Sequence, residues 1–160
     1  MRREATGQLN IFNAKGRGDC TFCKIISGEI KSYPVFEDSV SFAFLDHRPV
    51  FPGHCLLAPR EHYKTLIDLP SSLIAPFFAN VQLLAQAVEQ GLQAEGSFVA
   101  INNRVSQSVP HLHIHIVPRR RKDGLKGFFW PRQPYRDEDS ILKVQYAIRS
   151  AISGIQPKSG

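Results

Sequence analysis

The chain has 160 residues, of which 42% are apolar, and this is enough for one soluble globular domain with a hydrophobic core. No run of about 18 uninterrupted apolar residues is present, so we expect no membrane partner. The formal net charge of +6 suits a small anionic ligand such as a nucleotide and equally suits loose binding to nucleic acid, so charge alone does not choose between them.

The first segment of the chain, residues 1–19, is polar and basic. It lacks the apolar stretch of a secretory signal, and it has an acidic residue and few hydroxyl residues, unlike a transit peptide. We therefore predict a mobile N-terminal tail over 1–19, one folded domain over 20–152, a C-terminal tail over 153–160 and a cytoplasmic protein.

Apolar periodicity and turn residues predict the elements in chain order. Helices are predicted at Phe22–Ile26, Tyr63–Asp68, Leu73–Gln93 and Ser140–Ser150, and strands at Val35–Glu37, Val40–Leu45, His54–Ala58, Phe98–Ile101 and His111–Val117. The long helix has one apolar face, formed by Leu73, Phe77, Val81, Leu84 and Val88. The alternation in Ser41–Phe44 predicts a half-buried strand. Mostly consecutive strands with inserted helices predict an α+β domain with an antiparallel sheet.

Two segments after the last strand admit more than one interpretation. The basic run Arg119–Lys122 suits phosphates or a polynucleotide, or is a solvated face. The aromatic cluster Phe128–Pro131 includes Trp130, which either packs locally or, as the family resemblance described below implies, reaches the binding site of a second copy.

Three of the six histidines lie within five positions, at His111, His113 and His115. Residues two apart share one face of a strand, so the three imidazoles point the same way and Leu112, Ile114 and Ile116 point into the apolar layer. Imidazole titrates near neutral pH and can attack as a neutral nucleophile. Such a run is a surface strand, a metal-ligand pair or a nucleophilic site, and the residues alone leave these readings open.

The three cysteines are an odd number, which argues against a disulfide framework. Cys20 and Cys23 have a spacing that favours a metal over a disulfide in a reducing compartment. Cys55 has apolar neighbours and is predicted to be a buried free thiol.

Four motifs, in order along the chain, resemble the histidine triad (HIT) family. Residues 111–117 fill every position of the family signature His-φ-His-φ-His-φ-φ, in which φ is apolar, and Gln107–Val109 and Pro118–Arg119 flank it as in the family. Residues 44–54 resemble the family's nucleoside-binding strand and loop. Residues 20–30 resemble the N-terminus of its zinc-bearing, bacterial-type branch.

The resemblance implies a nucleotide hydrolase or transferase that cleaves at an α-phosphate through a covalent nucleotidyl-histidine. Implied catalytic residues are His113 as nucleophile, His115, Ser108, Gln107 and His54. Implied nucleotide-binding residues are Asp46 for the ribose, Phe22, Phe42 and Phe44 around the base, with Ile26 beside them, and Asn103, Gln107, Ser108, His113 and His115. Adenine nucleotides are the expected substrates, and nucleoside phosphoramidates or dinucleoside polyphosphates the expected classes.

The resemblance also implies a structural zinc ion held by Cys20, Cys23, His62 and His111, and a homodimer. The chain departs from the family where many members have a glycine-rich turn, because Asn103–Ser106 contains no glycine, and Arg104 either compensates with its side chain or is solvated. The alternatives are a zinc-stabilised nucleotide-binding module with little turnover, a zinc hydrolase with metal on His113 and His115, and a nucleic-acid binder, which we regard as the weakest.

Overall fold

The computed structural model describes residues 18–125 and 133–154. The predicted N-terminal tail up to residue 17, the cluster Phe128–Pro131 and the C-terminal residues 155–160 lie outside the described residues. The chain forms two compact units that divide after Arg120. The predicted boundaries of the folded domain at residues 20 and 152 stay predictions.

The first unit contains five strands, two helices and a short 3-10 turn among the residues described. In chain order these are α1 (Thr21–Ile26), β1 (Pro34–Glu37), β2 (Ser41–Leu45), β3 (Cys55–Pro59), the 3-10 turn (Leu66–Asp68), α2 (Ser71–Leu92), β4 (Gly96–Ile101) and β5 (Ile114–Arg119). The second unit contains α3 (Glu138–Gly154). The strands form one antiparallel sheet in the order β1-β2-β3-β5-β4, which confirms the predicted α+β fold.

The sheet is covered on both faces. Ala43, Leu57, Ile114 and Ile116 pack on one face with the apolar stripe of α2, whereas Phe42, Phe44, Leu56 and Ala58 pack on the other with Phe22 of α1. The prediction of a half-buried strand at Ser41–Phe44 is therefore wrong, because α2 covers the face of Ser41 and Ala43, which the alternation assigned to solvent. All four of its residues are buried.

Helix α2 supplies the core on one side of the sheet. Phe77, Val81, Leu84 and Val88 are buried, and Leu73 packs against their cluster, as the sequence predicts. By length and composition α2 could cross a membrane, but a core helix passes the same test, and this stripe packs against the sheet. The helix ends at Leu92, and its C-cap residue Gln93 has a left-handed φ of 53°. The guanidinium of Arg120 donates to the carbonyls of Leu92 and Gln93 at 2.6 and 2.7 Å. One residue of the basic run Arg119–Lys122 thus caps a helix C-terminus.

Two elements are shorter than predicted, for one shared reason. Strand β5 begins at Ile114 rather than His111, because the N–H of Leu112 donates to the carbonyl of Tyr63 at 2.6 Å instead of to β3. The predicted helix over Tyr63–Asp68 is reduced to the 3-10 turn, because the carbonyls of Tyr63 and Lys64 accept bonds from Leu112 and Gln107. The chain before β5 is thereby joined to the chain before α2.

Candidate functional site

The structure brings the four predicted metal ligands together. Cys23 Sγ lies 3.3 Å from His62 Nδ1 and 3.6 Å from His111 Nδ1, and Cys20 Sγ lies 3.5 Å from His111 Nδ1. Zinc bond lengths of about 2.3 Å to sulfur and about 2.05 Å to nitrogen imply an edge of about 3.6 Å between S and N in a tetrahedron. The donor atoms therefore stand at the separations that one tetrahedral zinc ion requires.

The second nitrogen of His111 fixes the orientation of its ring. His111 Nε2–H donates to the carbonyl of Pro59 at 2.9 Å, so Nδ1 presents its lone pair to the two sulfurs. Pro59 has no N–H to donate to a neighbouring strand, and its carbonyl serves a side chain here. Burial is the main cause that lowers the pKa of His111 to about 4, which keeps the imidazole neutral, as a metal ligand must be.

The nucleophile predicted at His113 is buried and held in one tautomer. Its Nδ1–H donates to the carbonyl of His111 at 2.7 Å, so its lone pair is on Nε2. Phe22 meets the His113 ring edge-on, with the centroids 5.0 Å apart. Burial lowers the pKa of His113, and the hydrogen bond to His111 and the charge of Asp46 partly oppose this, so the imidazole of His113 is neutral at pH 7.

Hydrogen bonds behind His113 join His115 to His54, and His54 to the backbone of Val50, with Asp46 beside His54. His54 Nε2 lies 3.0 Å from His115 Nδ1, and the N–H of Val50 donates to His54 Nδ1 at 3.2 Å. Since His54 Nδ1 accepts from Val50, the proton of neutral His54 is on Nε2 and is donated to His115. The proton of His115 is then on Nε2, the nitrogen left to act as a donor.

The carboxylate of Asp46 stands beside His54. Its Oδ2 lies 3.6 Å from His54 Nδ1, and its Oδ1 accepts the N–H of Arg48 at 2.9 Å in an Asx turn. Asp46, His54 and His115 could also be read as a metal site, since their donor atoms lie within 4.8 Å of one another. However, Asp46 and His115 approach opposite nitrogens of His54, which favours the hydrogen bond between His54 and His115 over a single ion.

Burial is the first cause that lowers the pKa of both His54 and His115. The pKa of His115 is lowered to about 4, to which His113 and His54 also contribute while Asp46 opposes them. For His54, Asp46 opposes the lowering and His113 adds to it. Both imidazoles are therefore neutral at pH 7, as the assigned tautomers require.

The loop before Ser108 is fixed by two amide side chains. Gln107 Oε1 accepts the N–H of Arg104 at 2.9 Å and its Nε2 donates to the carbonyl of Lys64 at 2.6 Å. Asn103 Oδ1 accepts the N–H of Leu66 at 2.9 Å. These amides position the loop, and their predicted contacts with a nucleotide stay predictions.

The same loop adopts left-handed backbone without glycine. Arg104 and Ser106 have φ of 67° and 59°, a conformation that costs a non-glycine residue about 1 kcal/mol or more. The hydrogen bonds of Gln107 and Asn103 hold the loop in this shape. The missing glycines therefore do not prevent the tight turn that the family resemblance led us to expect.

The aromatic residues predicted around the base lie in one cluster on the histidine side of the sheet. Phe22 and Phe44 are in edge contact at 5.3 Å, Phe42 lies 6.0 Å from Phe44, and Ile26 is packed against them. Asp46 follows β2 directly, which places a half-buried carboxylate at the end of this apolar surface.

Three functional groups that sequence reasoning missed are backbone atoms: the N–H of Val50 and the carbonyls of Pro59 and His111. No side-chain pattern marks such atoms in a sequence. The Asx turn at Asp46–Arg48 was detectable, because an aspartate in a proline-rich loop is typical of a turn in which the carboxylate accepts the N–H of the residue two positions later.

Comparison with known proteins decides the family. Residues 27–122 match the HIT domain. The chain belongs to the HIT domain family. Adenylylsulfatase HINT3 of Arabidopsis thaliana is 33% identical over 76% of this chain, and this chain spans 62% of that relative's length. Adenosine 5'-monophosphoramidase HNT1 of Saccharomyces cerevisiae is 33% identical over 84% of each chain.

A solved HIT structure links the family to the metal cluster. The zinc-bound histidine triad protein from Mycobacterium smegmatis is 36% identical, covers 88% of this chain and all of its own, and superposes with a TM-score of 0.65. This HIT domain thus has the fold of a zinc-bound neighbour and, among the described residues, a Cys/His cluster that could hold a metal ion.

Proposed function

We propose that this HIT domain is a hydrolase, or nucleotidyl transferase, that cleaves nucleoside phosphoramidates or dinucleoside polyphosphates at the α-phosphate. The observation that carries the proposal is the fixed tautomer of His113. Its imidazole is buried and neutral, and the free lone pair is on Nε2. An adenylylsulfatase and an adenosine monophosphoramidase among the relatives support chemistry at the phosphorus of an adenine nucleotide.

In the first step, His113 Nε2 attacks the α-phosphorus, and the bond from phosphorus to the leaving group breaks with its electron pair on the leaving group. A leaving amine takes its proton from Nε2–H of His115. His54 Nε2–H donates to His115 Nδ1 during this transfer, and His115 regains its proton at Nε2 from the water of the next step. In the second step, water attacks the phosphorus of the nucleotidyl group and gives a proton to His115 Nε2, the bond from phosphorus to His113 Nε2 breaks with its electron pair on Nε2, and the nucleoside monophosphate leaves.

The substrate side of the site has three parts in this proposal. Asp46 accepts hydrogen bonds from the ribose hydroxyls, and the cluster of Phe22, Phe42 and Phe44 contacts the base. Ser108 contacts the phosphate and its leaving group, with Gln107 and Asn103 nearby. Adenine is the base we propose, since both relatives with a stated substrate act on adenine nucleotides by name.

A zinc ion fits the cluster of Cys20, Cys23, His62 and His111, and these residues would hold it. Four protein ligands close the coordination shell, so such an ion supplies structural charge neutralisation rather than a reactive water. It would fasten α1 to the segment that carries His113, because His111 is both a ligand and the acceptor of the His113 hydrogen bond.

We also propose a cytoplasmic homodimer. Strand β4 is at the edge of the sheet, and Val99 on it is exposed. Ile74, Phe78 and Leu83 of α2 are exposed on the side that does not face the core. Exposed apolar residues on an edge strand and on one helix suit a two-fold interface with a second copy.

The test is release of AMP from adenosine 5′-phosphoramidate and from diadenosine tetraphosphate by the wild type and by His113→Ala, prepared with equal zinc content. The wild type should turn over and yield an acid-labile nucleotidyl adduct on quenching, and the variant should bind AMP without turnover. Substantial activity in His113→Ala would remove it as the nucleophile, and AMP binding without turnover by the wild type would favour a binding module.

A further inference from the structure

One residue of the metal cluster is less enclosed than the other three. Cys23 is half-buried, whereas the other three residues of the cluster are buried. Cys23 lines a cavity of about 440 Å³, and the exposed residues Gly18 and Ser27 line the same cavity, so the cavity opens to the surface. A small solute can therefore reach Cys23 from outside the domain.

A second sulfur stands beside Cys23. Cys20 lies three residues earlier, and its carbonyl accepts the N–H of Lys24 at 3.1 Å, so the two cysteines share the first turn of α1. Residues at this spacing are neighbours on one side of a helix. Their sulfurs lie within 4.8 Å of each other, and both face Nδ1 of His111. A reaction that begins at Cys23 thus has a second sulfur within reach.

The third cysteine does not offer the same chemistry. Cys55 lines an apolar cavity on the α2 side of the sheet, and burial raises the pKa of its thiol. Oxidants react with the thiolate, so Cys55 reacts slowly at neutral pH. Cysteines that bind zinc are thiolates. With the ion bound, oxidation is therefore directed to Cys20 and Cys23.

The two cysteines also hold the residues that position His113. The carbonyl of His111 accepts Nδ1–H of His113 at 2.7 Å. Phe22 lies between the two cysteines in the chain and meets the ring of His113 with the centroids 5.0 Å apart. Withdrawal of both sulfurs from the cluster would therefore loosen two contacts of His113 at once.

We propose that Cys23 is an oxidative modification site for peroxides, and that a disulfide with Cys20 then releases the metal ion. The thiolate of Cys23 attacks one oxygen of hydrogen peroxide, and the O–O bond breaks with its electron pair on the departing hydroxide. The thiolate of Cys20 attacks the sulfur of the resulting sulfenic acid, and a second hydroxide leaves as the S–S bond forms. The two sulfurs lose two electrons, and the peroxide gains them.

The disulfide removes two of the four metal ligands, so His62 and His111 alone remain to hold the ion. This site goes beyond the proposed function, because neither the thiol chemistry nor the release of zinc depends on turnover of a nucleotide. It would make the activity reversible, since reduction of the disulfide regenerates both thiolates.

Treatment of the zinc-loaded wild type with hydrogen peroxide tests the site. A chromophoric chelator reports released zinc, and alkylation with mass spectrometry counts the thiols. Zinc should leave in step with the loss of two thiols, and peptide mapping should find the disulfide between Cys20 and Cys23. With dimedone present from the start, the sulfenic acid should be trapped on Cys23 at about tenfold or more over Cys20.

Three controls separate this route from general damage. Cys55→Ala should release zinc and form the disulfide at the wild-type rate to within about twofold. In Cys20→Ser, which has no second thiolate, dimedone should label Cys23 and no disulfide should form within the chain. Reduction of the oxidised wild type in the presence of zinc should restore its metal content, whereas a sample without peroxide should keep its zinc beside the same chelator.

Retention of zinc after Cys23 has been oxidised would overturn the proposal, as would first attack at Cys55 or oxidation of Cys23 to a sulfinic acid without a disulfide. A purified chain that binds no zinc would also overturn it. If the wild type releases no AMP, the proposed function fails, while the thiol and zinc measurements still decide the modification site.

Discussion

The N–H of Val50, a single backbone group, decides which nitrogen of His54 carries the proton. It donates to Nδ1, so His54 donates from Nε2 to His115, and His115 can donate only from its own Nε2. Likewise the carbonyl of His111 fixes His113 with its lone pair on Nε2. In the function that we propose, His113 is the nucleophile, His115 the proton donor and His54 the group that supports His115, and backbone atoms of His111 and Val50 set these roles.

Replacement of His54 should separate the two kinds of leaving group. His54→Leu removes the donor to His115 Nδ1 and should lower kcat for adenosine 5′-phosphoramidate by about 10²-fold, because a leaving amine needs a proton. Diadenosine tetraphosphate should lose less, since a phosphate leaves without one. His54→Gln, which carries an N–H donor on its side chain, should retain more activity. An equal loss on both substrates would show that His54 serves only to support the fold.

The acid stability of the domain should depend on His115. Its pKa is lowered to about 4 in the fold, mainly by burial, against 6.5 for an unperturbed histidine. Between these values the unfolded chain binds more protons than the folded chain, so stability rises with pH across this window and is lost as the pH falls from 6.5 toward 4. The titration of one group changes the free energy of unfolding by at most about 1.4 kcal/mol per pH unit, and by less when the group is half-buried.

Urea unfolding at pH 7 and pH 5, with zinc in excess, measures this dependence. His115→Gln should lose less stability than the wild type between the two pH values, because the glutamine does not titrate. His111, whose pKa is also about 4, is present in both proteins, so its contribution cancels in the comparison. Parallel losses in the two proteins would contradict the assignment.

At the scale of elements, the cluster of Cys20, Cys23, His62 and His111 joins α1 to the segments that carry the two histidines, and few other contacts hold α1 in place. Helix α1 has only six residues, and its N-cap residue Cys20 makes no side-chain capping bond. An isolated helix of this length is not stable, so its place depends on Phe22 in the aromatic cluster and on the cysteines that bracket Phe22. Loss of the metal should therefore release α1 from the face of the sheet that carries His113.

Removal of one thiolate tests this dependence. Cys23→Ser, or treatment of the wild type with a chelator, should lower Tm by about 10 °C or more and abolish activity together with zinc content. Cys55→Ala is the matched control, because Cys55 is a buried thiol in the core of the sheet and lies outside the cluster. If Cys23→Ser keeps full activity without zinc, the cluster is not needed for the site.

The sequence was most informative where periodicity reports burial. The stripe of α2 and the inward side chains Leu112, Ile114 and Ile116 were predicted correctly, because a 3.6-residue or two-residue period follows directly from helix and strand geometry. The burial of Ser41 and Ala43 was missed, because it depends on α2, which is distant in sequence and covers that face of β2. The spacing of ligands and triad was predictable, but the tautomers were not, since backbone groups of Val50 and Pro59 set them.

At the scale of the whole molecule, the edge of the sheet decides the quaternary structure that we propose. Strand β5 is paired on both sides, whereas β4 pairs with β5 alone among the described strands and shows Val99 to solvent, 43% exposed. Leu83 of α2 is 47% exposed. An edge strand with exposed apolar neighbours pairs readily with an identical edge, and a two-fold axis would continue the sheet from one copy into the next.

Charges placed on this surface should prevent the association. Val99→Lys with Leu83→Glu should convert a homodimer of about twice the chain mass into a monomer, measured by light scattering on a sizing column, because a desolvated charge costs several kcal/mol in an apolar interface. Ile67→Lys is the matched control, since Ile67 is 58% exposed and belongs to the 3-10 turn rather than to β4 or α2. A wild type that is monomeric at micromolar concentration, or a dimer that survives both charges, would exclude this edge as the interface. Retention of AMP release by the monomeric variant would further show that one copy contains the whole site.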